Sequence, residues 1–364
     1  MINFSEARWQ KVKSDAAQWW AGKLDRPLVQ MRLWGAHPGR AEPALKRIDF
    51  KTPYDMSLPA AAIVDRWDFE LSSQVYLGDS FPCVWPNFGP GVLATALGAD
   101  AKPYENTTWF HPREQLDIDR ISFRYDPESK WMRRVKDICR TAAGRWRGSV
   151  QISMTDLGGN LDVLSTFRPG ERLLLDLYDS PAEVKRLTWE AHEAWWAAFR
   201  DLDSVMRGAN PGYTAWCSIF SEQSYYMLQC DFCYMIGPAM FDEFVKPELS
   251  ATCAKMADPF YHLDGPGQLP HLDSLLAIPQ LKGVQWVPGA GQKEQWEWPE
   301  VYRKIRAAGK LIQIYDDAGL TQLTRIAERL GDARGIVAIA NGKADDRAKA
   351  EAALSRFGVP LSAG

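Results

Sequence analysis

No stretch of the sequence reaches the 18 or so uncharged apolar residues that a membrane-spanning helix needs. The opening Met1-Ile2-Asn3-Phe4-Ser5-Glu6 has no apolar core behind a basic start, so neither a membrane span nor a secretory signal is expected. Charge of one sign is scarce as well. The formal net charge is -3 with both signs intermixed, which argues against a nucleic acid or an anionic membrane held by bulk charge. The 6 cysteines form no framework of paired spacings, and reduced thiols in the cytoplasm are the expectation. Cys230-Asp231-Phe232-Cys233 is a Cys-x-x-Cys without the second pair that a zinc ribbon requires. Several catalytic signatures are missing too: Gly-x-Ser-x-Gly, Gly-x-x-x-x-Gly-Lys-Ser/Thr and His-Glu-x-x-His do not occur. Serine hydrolases, P-loop enzymes and zincin proteases are thereby set aside.

What the chain does hold is apolar and aromatic. Of 364 residues 46% are hydrophobic, and the 16 tryptophans are enough both to fill a core and to wall a pocket for a flat or uncharged ligand. Helical spacing of Trp9, Val12, Ala16, Trp19 and Trp20 predicts an N-terminal cap helix within residues 1–27, followed by a strand at 28–34. Residues 35–145 read as an irregular insert over the mouth of the fold. Its aromatic-rich segment 78–91 predicts an ordered loop over a binding site, with Asp79, Trp85 and Asn87 as contacts. The basic residues of 130–147 fit a solvated helix face.

From residue 149 short apolar runs alternate with amphipathic segments. Strands are predicted at 149–154, 213–219, 226–230, 259–263, 283–287, 311–315 and 336–340, and helices at 181–206, 238–256, 298–308, 319–330 and 343–356. Two-sidedly apolar strands alternating with helices imply a parallel sheet, and about eight of them favour an α/β fold of the (β/α)8 TIM-barrel type as a single domain over 1–364. No Gly-x-Gly-x-x-Gly follows the first strand to suggest a dinucleotide.

Catalytic groups of such folds sit at the C-terminal strand ends. There the sequence places Asp156, Asp231, Asp264, Trp286, Tyr315 and Asn341, with His262 two residues before Asp264. Asp156, Asp231, His262 and Asp264 brought together would raise a carboxyl pKa, giving a general acid, or recruit a cation. Gln285 and Gln313 are suited to orient a substrate by neutral hydrogen bonds, and Trp286 and Tyr315 to wall its pocket.

The phrases Gly158-Gly159-Asn160-Leu161-Asp162, Asp176-Leu177-Tyr178-Asp179-Ser180-Pro181, Gln229-Cys230-Asp231-Phe232 and Pro238-Ala239-Met240-Phe241-Asp242-Glu243-Phe244 resemble the uroporphyrinogen decarboxylase superfamily. Its members include the decarboxylase and the cobalamin-dependent methyltransferases. The decarboxylase's arginine-rich opening is reduced here to Met31 and Arg32, so a porphyrinogen is not the expected substrate. The methyltransferases bind zinc through His-x-Cys and a later Cys. His262 matches, Asp264 replaces the first thiolate, and Asn341 ends the last strand without a cysteine. The resemblance implies a one-carbon (methyl) transferase working with cobalamin or a corrinoid protein on a small, partly aromatic or uncharged substrate. His262 and Asp264 would hold zinc or another divalent metal, and Asp156, Asp231 and Tyr315 would complete the catalytic set. Asn160 joins the expected substrate contacts. The alternatives are a decarboxylase or lyase of a small acid, its carboxylate held by Arg168 or Arg32, and a ligand-binding barrel without catalysis. A homodimer is within the expectation; nucleic acid and membrane are not.

Overall fold

The computed structural model describes residue 2, residues 4–104 and residues 107–361. Its centre is a mixed α/β arrangement around a mostly parallel sheet. Eight strands matter for the site: β1 (Leu28–Trp34), β2 (Cys83–Val84), β3 (Gln151–Ile152), β4 (Tyr225–Leu228), β5 (Asp258–Asp264), β6 (Gly283–Val287), β7 (Leu311–Asp317) and β8 (Ile336–Lys343). In space the main sheet runs β1-β8-β7-β6-β5-β4, all parallel, and an antiparallel strand, Gln74–Gly78, occupies the outer edge of β1. β2 and β3 form a separate parallel pair.

The expected closed barrel is therefore not what the hydrogen-bonded ladder shows. Strand Gln74–Gly78 takes the edge of β1 that β2 would need, and β2 is held to two residues by Pro82 and Pro86, which have no N–H to give a ladder. The expected strand at 213–219 does not form. Its chain doubles back instead, with Tyr213 and Ser221 making an isolated antiparallel bridge. Met154 N–H still donates to the Thr214 carbonyl at 2.8 Å, and the Tyr225 hydroxyl donates to the Cys217 carbonyl at 3.0 Å, so side chains and single bonds span the breach.

The stretch 35–145 is more regular than its composition suggests. It holds a helix at Ala60–Ser72, a hairpin of Ala99–Pro103 with Thr108–Pro112, and the helix Lys130–Trp146. The first of these buries Ile63, Val64, Trp67 and Leu71 at helical spacing, a pattern that the surrounding prolines and glycines mask.

The N-terminal helix Glu6–Trp20 starts on Ser5, whose hydroxyl accepts from Arg8 N–H at 3.3 Å. It buries Trp9 against Phe81 and Phe220, and Trp19 and Trp20 against Phe260 near the start of β5. The cap thus seals the N-terminal ends of the strands and leaves the C-terminal ends open. Asp79 locks it in place. Its carboxylate takes Arg26 in a two-pronged pair at 2.7 and 2.8 Å and also accepts from Val29 N–H at 2.8 Å. The long helix Pro181–Met206 spans the outside, with Pro181 in its first turn. Among the described residues no helix is long and apolar enough to cross a membrane.

Candidate active site

Strand register builds the site. His262 on β5 lies opposite Gln285 on β6, and Gln285 lies opposite Gln313 on β7, so three polar side chains stand in a row on adjacent strands. Gln285 and Gln313 are fully buried, and each must find partners. The row has a direction. Gln313 Nε2 donates to the Ile314 carbonyl at 2.7 Å, a group that can only accept. Gln313 Oε1 is thereby left to accept from Gln285 Nε2, and Gln285 Oε1 to accept from His262 Nδ1–H. His262 is fixed as the tautomer whose Nε2 carries the free lone pair. Burial lowers the ring's pKa, partly offset by the Gln285 bond and by Asp264 and Asp162, so the imidazole is neutral and ready to ligate. Trp216 meets it edge-on at 5.0 Å and fixes its plane.

Asp231, His262 and Asp264 each offer a ligand atom within 4.8 Å of the others. Asp264 ends β5, and Gly265 then turns with φ of 77°, a conformation that suits glycine. Asp231 opens the short 3-10 turn after β4. One imidazole and two carboxylates make a borderline-to-hard donor set that fits zinc or another divalent ion and leaves coordination positions open for a substrate. Asp231 is open to solvent within the concave mouth. Although the residue keeps exposed surface, burial of its carboxyl among its neighbours, and then the carboxylates of Asp264 and Asp156, push its pKa up to about 6.

Two further carboxylates lie behind the cluster. Asp156, just past β3, accepts from Gly158 N–H at 2.8 Å and lies 3.4 Å from the Tyr226 hydroxyl; burial drives its pKa up to about 7. Asp162 accepts from the amides of Asp231 and Phe232 at 3.1 and 2.8 Å, and burial next to Asp231 lifts it to about 7. Asp162 is a residue that sequence reasoning quoted but did not assign. Gly159 explains how it gets there, since a Cβ at that position would run into the Gln229 carbonyl.

A cavity of about 470 Å³ adjoins the cluster across Trp216. Arg32, Lys51, Trp85, Asn87, Ser153 and Trp216 are among its lining residues. Asn87 Oδ1 accepts from Gly89 N–H at 3.0 Å, shaping the loop from within. Neither this cavity nor a larger hollow of about 740 Å³ along 95–101 and 124–131 is lined by the cluster residues themselves; the smaller one is assigned to the site because its wall residue Trp216 packs on His262. Asn160 begins the helix Asn160–Phe167 and is buried, its Oδ1 without a hydrogen bond. The Tyr315 ring is 38% exposed, but its hydroxyl reaches in beside Cys217 and Gln285, and desolvation pushes its pKa well above the usual value.

Three expected contacts lie elsewhere. Asp79 is committed to Arg26 and to the Val29 amide at the opposite end of the strands. Arg168 is spent on Asp176 and on the Leu116 carbonyl at 2.8 Å. Trp286 is the neighbour of Gln285 on β6, and strand alternation turns it to the other face, where it packs on Trp298 at 5.2 Å. Alternation alone would have separated Gln285 from Trp286. Trp216 was hidden within an apolar run that reads as a strand.

The fold is similar to that of a methyltransferase from Methanosarcina mazei. The TM-score is 0.61 at 14% sequence identity, covering 95% of this chain and 99% of that one. A likeness at this identity establishes shared architecture. No protein-family model and no curated protein matches the chain.

Proposed function

We propose that this protein is a methyltransferase of the uroporphyrinogen decarboxylase type, taking a methyl group from a small substrate seated between the 470 Å³ cavity and the Asp231–His262–Asp264 cluster. The observation that carries this reading is the neutral, tautomer-fixed His262 beside two carboxylates at the strand ends, with Trp216 standing between its ring and an aromatic-walled cavity. Fold likeness to a methyltransferase supports it. The eight strands suit a (β/α)8 arrangement closed by side chains where the ladder is interrupted.

A divalent ion held by Asp231, His262 and Asp264 would draw negative charge off the heteroatom that loses its methyl group. The remaining work falls to the chain. Trp216 and Trp85 exclude water from the reacting methyl, and Asp156, which holds its proton up to about pH 7, is placed behind Asp231 to return a proton to the leaving heteroatom. In this reading the methyl acceptor is the cobalt of a cob(I)alamin or of a corrinoid protein. When bound, a corrinoid would supply the nucleophile that takes the methyl group, and the electron pair of the broken bond would stay on the heteroatom, where Asp156 would return a proton.

The test is direct. Purified, metal-loaded protein is mixed with cob(I)alamin and a panel of methoxy, methylamine and methylthio compounds, and the methylcobalamin spectrum is followed. Methylation that is lost in His262→Ala is expected; a panel without a single methyl donor sinks the proposal. A second reading, decarboxylation of a small acid, is favoured by Arg32, which has no carboxylate partner among the described residues. Carbon dioxide release from a panel of small carboxylic acids, lost in Arg32→Gln, would distinguish it.

A further inference from the structure

The cavity beside the cluster has an unbalanced charge. The two acids on its wall are matched already, Asp49 with Arg47 at 3.3 Å and Glu70 with Arg66 at 2.9 Å. Lys51 donates to the Ile48 carbonyl and lies over the Trp67 ring at 5.5 Å. Arg32 is different. Rising from β1 into the cavity, its guanidinium meets two neutral partners, Ser218 Oγ at 2.9 Å and Cys83 Sγ at 3.5 Å. A partly buried cation without an anion is costly to keep.

The same cavity gathers unused hydrogen-bonding groups. Arg32 Nε, Trp85 Nε1 and Ser153 Oγ are all buried, all on residues of its wall, and none has a partner. Ser153 is 1% exposed. They belong to one neighbourhood. Arg32 touches Cys83, two residues before Trp85, and Ser153 N–H donates to the Val84 carbonyl at 2.8 Å. The buried groups around the guanidinium are donors or a hydroxyl able to donate, and Trp34, Trp67, Trp85 and Trp216 supply flat apolar walls. One planar anion on a ring matches this set. A dianionic phosphate would ask for a second cation beside Arg32, and the remaining candidate, Lys51, is turned to the Ile48 carbonyl and the Trp67 ring.

We infer that the substrate is a small aromatic carboxylate carrying the transferable methyl group, with its carboxylate held by Arg32, Trp85 Nε1 and Ser153 Oγ and its methylated end directed past Trp216 toward His262. The transferable methyl group rests on the methyl-transfer reading, whereas the carboxylate site stands on its own geometry.

The experiment separates the two. Benzoate, benzamide and inorganic phosphate are titrated into the full-length protein without corrinoid, and tryptophan fluorescence is read, since four tryptophans line the cavity. A charge-assisted pair predicts that benzoate binds about tenfold or more tighter than its neutral isostere benzamide, and tighter than phosphate. Arg32→Gln brings benzoate down to the benzamide level and leaves benzamide unchanged. Trp85→Phe, which keeps the ring and removes the N–H, weakens benzoate several-fold and is read alongside should Arg32→Gln fold poorly. Equal affinity for benzoate and benzamide, phosphate binding as tight as benzoate, or discrimination that survives Arg32→Gln overturns the inference. If benzoate is discriminated but methoxybenzoates never methylate cob(I)alamin, the carboxylate site stands and the methyl-transfer reading falls.

Discussion

Replacing Gln285 with leucine tests whether the row of side chains across the strands governs metal binding at the proposed Asp231–His262–Asp264 site. In the native protein Gln285 Oε1 accepts from His262 Nδ1–H, and its Nε2 donates to Gln313 and sits 3.6 Å from the Cys217 thiol. Leucine fills the space but leaves His262 Nδ1–H and Gln313 Oε1 buried without partners, each a loss of about 1–3 kcal/mol. The part that reaches the metal is the freed imidazole, which gains rotation and the wrong tautomer. Losing the partner of a ligating histidine weakens metal binding by about 10–100-fold, or roughly 1.4–2.7 kcal/mol. The assay is zinc titration against a chromophoric chelator near neutral pH, for wild type, Gln285→Leu and Gln285→Glu. The glutamate retains an acceptor for Nδ1–H and is expected to bind zinc within a few-fold of wild type. The reasoning fails if Gln285→Leu binds zinc as wild type does, or if the glutamate variant is as weak as the leucine one.

Asp156 gives a pH-dependent prediction. Its folded pKa of about 7 exceeds the ordinary 3.8, so the folded protein binds that proton more tightly and loses stability as pH rises from about 4 through about 7. Asp156→Asn should remove this loss, gaining up to about 4 kcal/mol at pH 8 relative to wild type and nothing at about pH 4. Urea unfolding at the two pH values measures it; an equal effect at both contradicts the assignment. Asp79→Ala strips the partly buried Arg26 of its two-pronged partner, leaves it Asp15 at 2.8 Å, leaves Val29 N–H without its acceptor, and should cost about 1–3 kcal/mol in thermal or urea unfolding while leaving zinc affinity intact. Gly159→Ala places a methyl against the Gln229 carbonyl and should displace Asp162 from the Asp231 amide, lowering both stability and zinc affinity. Unchanged zinc binding in that variant would separate Asp162 from the site.

Much of the fold was readable because the helices and strands after residue 149 carry clean periods. β1 and β6 and the helix Pro181–Met206 fall where the apolar patterns put them. Ladder closure was not readable, because it depends on which strand takes an edge, and the antiparallel Gln74–Gly78 is indistinguishable by composition from a parallel neighbour. At the site, His262, Asp264 and Asp231 were marked by their position at strand ends, and the structure brings them together. Asp79 was misread because a carboxylate in a Gly-rich loop looks alike whether it faces a ligand or a distant arginine. Its partner Arg26 lies 53 positions away, a separation that no local pattern encodes.

The His262–Gln285–Gln313 row has a consequence for how such a protein changes over time. Two of the three cluster groups, His262 and Asp264, sit on one strand and are held in place by neighbouring strands, whereas the cavity walls are largely drawn from the segments 47–51, 83–87 and 215–218. Chemistry and selectivity are thus inherited through different parts of the chain. The segments 47–51 and 83–87, which do not touch His262, can be exchanged for others of similar length to admit a new substrate, whereas 215–218 must keep Trp216 against the His262 ring, which makes this scaffold a natural starting point for retargeting by segment grafting.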